Sequence, residues 1–189
     1  MARVVGWAAV VFSVVYVLSD LIELAQGGFS TVQLVLTYAA EAAIPLFVPG
    51  LWAVQRRWAI VGTRVGALGL AGSIGYAYAY VFFTGTVLYS LIERSRDWTD
   101  LLAHVEPWMT VHGAVMVVAG VCLGIAVARA GVFPRWSGYA LAAGVVLVAA
   151  TNSAPDPLRT VAATIRAAAF VGMGVASLRL GGRAGRVSG

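Results

Sequence analysis

Uncharged stretches of bilayer length recur from one end of the chain to the other. Between Arg64 and Glu93 no Asp, Glu, Lys or Arg occurs, and Val4–Ser19 and Thr110–Ala128 are equally free of them. A helix needs about 20 apolar residues to cross a hydrocarbon core of about 30 Å. Lipid leaves no water to satisfy an open backbone, so such stretches must be helical. The pattern predicts an all-α polytopic membrane bundle of six transmembrane helices, over about 5–26, 31–54, 62–91, 107–129, 136–152 and 158–178. Composition agrees, because 11% of residues are charged against about 25% in soluble domains. Residues 1–180 read as one transmembrane domain and 181–189 as a disordered tail. The first span, which follows Arg3, reads as a retained helix rather than a signal peptide, since no small-residue cleavage site precedes its acidic end.

The charged residues orient the bundle. Arg3, Arg56, Arg57, Arg64, Arg129, Arg135, Arg179, Arg183 and Arg186 fall on one side of the predicted spans, while Arg94, Arg96 and Arg159 fall on the other. The positive-inside rule then puts both termini in the cytoplasm, for a multi-pass protein of the bacterial inner membrane. The acids are complementary: none lies in a predicted cytoplasmic loop. The segment ERSRDWTDLLAHVEPW reads as an interfacial helix across the external mouth. In NSAPDPLR, Asp156 reads as the N-cap of the sixth helix and Pro157 as its first residue, with Asn152 closing the fifth.

Several chemistries are excluded. All basic residues are arginine, so no lysine Schiff base can form, and Cys122 is the sole cysteine. Two histidines, His104 and His112, do not make a His-rich metal site. No metal and no cofactor is expected. The arginines sit at helix ends rather than in one stripe, so no nucleic-acid partner is expected.

Two ionisable residues remain deep in the spans. Glu41 lies ten residues into span 2, about 15 Å down. Arg166 lies nine beyond Pro157, at a similar depth. Isolated charges there are costly, so the sequence predicts that they face each other or share a polar cavity. Pro45 frees the carbonyl of Glu41 and Pro49 repeats the lesion, which suits either a cavity or helix packing. Ser13, Tyr16, Asp20 and Glu23 follow one stripe of span 1, and Ser73, Tyr76, Tyr80 and Phe83 one stripe of span 3. His112 shares a face with Trp108 and Met116. The glycines at 66, 69, 72, 75, 120 and 124 read as close helix packing. Trp58, Trp98, Trp108, Trp136 and Tyr89 read as interfacial belt residues.

The segments AEAAIPLFVPGLWAVQRR, VGALGLAGSIG and VARAGVFPRWSGYAL resemble small six-helix integral membrane proteins of high-GC actinobacteria. That resemblance implies the topology and no catalytic residue. A second likeness, to the membrane-bound terpene cyclases, is one of design alone.

Three functions fit these features. The first is an enzyme on a lipid-soluble substrate, an acid-initiated isoprenoid cyclase or isomerase. A carboxyl in an apolar pocket can stay protonated as general acid; Glu41, or else Asp20 or Glu23, would fill that role. Tyr16, Tyr38, Tyr76, Tyr80, His112 and Arg166 would line the pocket, the aromatics stabilising a cation. An ionised Glu41–Arg166 pair would move the acid to Asp20 or Glu23. The second is a proton-coupled carrier, for which six helices without a repeat call for a homodimer. The third is a structural or accessory protein whose Glu–Arg pair fixes helix register.

Overall fold

The apolar residues of a water-soluble bundle point inward; here many point out. Along the first helix, Val4, Trp7, Val11, Val14, Leu18 and Leu21 are exposed, while the opposite face buries Gly6, Ala9, Ser13 and Ser19. A continuous apolar stripe facing outward is stable only against lipid. A computed structural model describes residues 1–59, 61–92, 98–151 and 154–187, and six α-helices account for most of them. They are α1 (Ala2–Gln26), α2 (Thr31–Trp58), α3 (Thr63–Ile92), α4 (Trp98–Ala130), α5 (Arg135–Ala150) and α6 (Asp156–Val187). Five of them contain a segment long and apolar enough to span a membrane; α5, with 16 residues, is shorter. The chain is a multi-pass membrane protein by helix length and hydropathy.

Each helix packs on the next in sequence and α6 closes on α1, so the six form a ring. At one end the Ser177 hydroxyl donates to the Ala2 carbonyl at 2.8 Å, which brings the two chain termini together. The α1–α2 and α5–α6 connections mark the opposite end. In the half nearer the termini the ring is filled by Phe47, Leu51, Leu123, Leu141, Phe170 and Met173. Helices approach closely there through glycine. A Cβ on Gly72 would lie 2.6 Å from the Leu123 nitrogen, and one on Gly124 would lie 2.5 Å from the Gly138 carbonyl oxygen. Gly66 differs from the packing expected of it, since a Cβ there would meet only an Arg56 nitrogen at 3.9 Å.

Two boundaries differ from the sequence reading. α4 begins at Trp98, so the segment expected as a separate interfacial helix continues into the span, with Pro107 inside. α2 is one helix through Pro45 and Pro49, as the single span expected over 31–54 requires. α6 continues to Val187, through residues read as a disordered tail, where Gly181 packs on Arg3. Glu93, Arg94, Arg96, Asp97 and Asn152 lie outside the described residues, as do the side chains of Trp98, Asp100, His104, Asp156, Arg183 and Arg186. Trp58 and Trp136 are exposed near the termini end, and Tyr89 and Trp108 near the other, as two aromatic belts require.

Candidate functional site

Away from the termini the ring is not filled. A cavity of about 360 Å³ opens there, and all six helices contribute to its wall. α1 supplies Tyr16, Asp20 and Glu23, and α2 supplies Gln33 and Thr37. Thr86 and Ser90 come from α3, Val105 and Met109 from α4, Val148 from α5 with Thr151 just beyond its end, and Arg159 and Arg166 from α6.

One wall is a chain of hydrogen bonds. Ser30 caps α2, its hydroxyl accepting from the Gln33 amide at 3.2 Å. The Gln33 side-chain amide donates to Glu23 Oε2 at 3.2 Å and to Thr37 Oγ1 at 3.0 Å. Thr37 reaches Ser19 Oγ at 3.1 Å, and Ser19 donates to the Tyr16 carbonyl at 2.8 Å. The second Glu23 oxygen pairs with Arg159 Nη2 at 3.2 Å. Glu23 thereby ties α1 to both of its neighbours. Its partner Arg159 is more than a third exposed, so this rim ion pair contributes on the order of 1 kcal/mol or less.

The floor is built around Arg166. Gly144 allows the α6 backbone to approach α5 at this point; a Cβ there would sit 2.8 Å from the Arg166 nitrogen. Helical side chains lean toward the N-terminus, which for α6 is the cavity end, and Arg166 reaches the floor while only 4% exposed. Its guanidinium donates to the Tyr80 hydroxyl. It also lies 4.7 Å from the centroid of the Tyr16 ring, within cation–π range. The Met116 sulfur is 4.0 Å away, and the Tyr76 ring packs on Tyr80 in a tilted pair with centroids 5.1 Å apart. Below, Phe12, Ile44, Phe47 and Phe170 close the passage around a void of about 10 Å³.

The expected pairing of Glu41 with Arg166 is replaced by this arrangement. Glu41 is one turn below Thr37 on α2 and only 6% exposed. Its Oε2 has no hydrogen-bond partner, and among the described residues it forms no ion pair. It remains within electrostatic reach of Arg166 but does not line the cavity. Of the three carboxylates named from the sequence, Asp20 and Glu23 face the cavity. Asp20 carries no hydrogen bond or ion pair among the described residues, and it too senses the charge of Arg166.

The aromatic residues divide. Tyr16 and Tyr80 touch Arg166 directly, whereas Tyr76 is one layer removed and its hydroxyl has no partner. Tyr38 is half-buried and off the cavity wall. His112 belongs elsewhere: its Nδ1 lies 2.8 Å from the Trp108 carbonyl, and its ring stacks on Phe82 at 3.9 Å. Sequence reasoning missed Gln33, Thr37 and Arg159. The signal for the first two was present, since Gln33, Thr37 and Glu41 recur every fourth residue behind the Ser30 cap.

The chain matches no family model, no curated protein and no solved structure. No family is therefore identified, and these comparisons lend no support to a terpene cyclase or isomerase. The site has to be read from its own chemistry. A guanidinium with a phenol beside it binds an oxygen that carries or develops negative charge. An untethered carboxyl, Asp20, lies one turn from Tyr16 on α1 and faces the same cavity, and a carboxyl so placed is of the type that serves as a general acid or base.

Proposed function

We propose that the protein is a membrane enzyme that binds a lipid-soluble molecule by an oxygen-bearing end and moves a proton on it. The observation that carries this reading is the dead-end cavity with Arg166 at its floor, held from behind by the Tyr80 hydroxyl, and an untethered Asp20 in its wall. Its volume falls in the range of small-molecule sites, about 300–1,000 Å³.

Within the isoprenoid chemistry expected from the sequence, this geometry favours isomerisation over cyclisation. A fixed guanidinium opposes a carbocation, whereas it stabilises negative charge building on a carbonyl oxygen. Asp20 takes a proton from the carbon next to that carbonyl and returns it to another carbon, which shifts a double bond and consumes no cofactor. Glu23, held by Gln33 and Arg159, positions the wall. The apolar seal of Phe12, Ile44, Phe47 and Phe170 supports a dead-end site over a conduit. From the arginine distribution we assign the termini to the cytoplasm and the cavity mouth to the outer face of a bacterial inner membrane.

Native mass spectrometry of the protein in lipid nanodiscs, with organic extraction of what it retains, tests the reading. The wild type should carry a stoichiometric oxygen-bearing amphiphile, and Arg166→Gln should lose it. Asp20→Asn should keep the ligand and abolish its turnover. Bulk phospholipid alone, from wild type and variants alike, would leave a structural role as the better account.

A further inference from the structure

On the bilayer side of the same wall lies a second space. Between α3 and α4 a groove of about 430 Å³ is lined by Val81, Phe82, Gly85, Thr86, Tyr89 and Val105. Thr86 and Val105 also line the central cavity, so these two small side chains are common to both spaces. The Thr86 hydroxyl is already committed to the Phe83 carbonyl at 2.7 Å, which leaves no donor free in the shared wall. Phe82, backed by the stacked ring of His112, forms a firm base.

Gly85 supplies the independent observation. A Cβ added at Gly72 or Gly75, on the same helix, would meet α4 at 3.0 Å or less; one added at Gly85 meets nothing within 4 Å. Glycine weakens a helix interior, and close packing does not explain this one. What its missing side chain leaves is the open floor of the groove.

Building on the functional reading above, we infer that this groove takes the hydrocarbon chain of the same molecule and is its lateral entrance from the bilayer. The oxygen-bearing end passes between Thr86 and Val105 to Arg166, while the tail stays between α3 and α4. The substrate class is thus a single-chain amphiphile delivered by the membrane, not a polar solute entering at the mouth. The groove is apolar, it opens where lipid is the solvent, and only Thr86 and Val105 stand between it and the cavity that has Arg166 at its floor.

Photo-crosslinking in nanodiscs tests this. The probes are a prenyl ketone and a fatty acid, each carrying a diazirine either near its oxygen or at its tail, with adducts mapped by peptide mass spectrometry. For at least one of the two, the tail diazirine should mark Phe82, Tyr89 and Val105, and the head diazirine Tyr16 and Thr37. Gly85→Leu should lower the head adducts by about tenfold, the scale expected for overfilling a fitted space, with Gly85→Ala in between. Gly113→Leu, equally open at its Cβ but outside the groove, should change nothing. Undiminished head labelling in Gly85→Leu would overturn the lateral entrance alone. Tail adducts spread evenly over all bilayer-facing helices would reduce the groove to ordinary lipid-facing surface. A wild-type cavity left unmarked by every probe would overturn the functional reading and the entrance with it.

Discussion

Glu41 and Arg166 are the two residues whose burial most needs a physical account, and the structure treats them differently. Arg166 has a phenol, a ring face and a cavity around it; Glu41 has a buried oxygen without a partner. Replacing Glu41 by Gln preserves shape and removes an unpartnered acid, so the cost should stay below about 1 kcal/mol or turn into a gain. Substituting Arg166 by Met strips the Tyr80 hydroxyl of its donor and Tyr16 of its cation, with an expected loss of about 2–3 kcal/mol. Thermal unfolding of the two variants in one detergent checks this; equal, large losses would indicate the direct ion pair that depth alone suggested. Depth was legible in the sequence because it is a count of residues from a helix end. Partnership was not, because it depends on which way each helix is rotated, and many helical faces here are apolar all round. Gln33 and Thr37 were overlooked for the same reason: neutral polar residues carry no obvious penalty in a sequence, yet they hold one whole wall of the cavity.

At the scale of elements, glycine has two opposite meanings in α3. Gly72 sits against the α4 backbone, where a methyl group would lie 2.6 Å from the Leu123 nitrogen. Backbone cannot rotate aside, so Gly72→Ala should cost about 1–3 kcal/mol. Gly85 faces open space, and Gly85→Ala should add about 0.5–1 kcal/mol through helix propensity alone. Midpoints of detergent-solubilised protein followed by helical circular dichroism compare the two directly; losses of similar size would mean that α3 and α4 also close against each other at Gly85. Periodicity showed that the glycines share faces, but not which of them meet a neighbour. The helices themselves were legible from their uncharged lengths, including the short α5. The start of α4 was not: Pro107 reads as a boundary, yet the helix continues on its N-terminal side back to Trp98.

For the whole molecule, the ring closes the half near the termini and leaves the other half hollow, so sidedness decides what can reach the cavity. Nine of thirteen arginines flank the spans on the termini side, by sequence count. The topology we propose puts that side in the cytoplasm, by the positive-inside rule. Leu24 lines the cavity near its mouth and is exposed, and Arg57 ends α2 on the opposite side. The lone Cys122 can be removed as Cys122→Ala without touching a disulfide. In that background, Leu24→Cys should react with a membrane-impermeant maleimide in intact cells, and Arg57→Cys only after lysis. The reverse labelling would turn the cavity mouth toward the cytoplasm. The lateral entrance between α3 and α4 would survive such a reversal, because a molecule already dissolved in the bilayer reaches Thr86 and Val105 from either orientation. Only the release of a water-soluble product would change compartment. Labelling therefore separates where the site opens from how it is supplied, two properties that the proposed entrance places on different walls of one cavity.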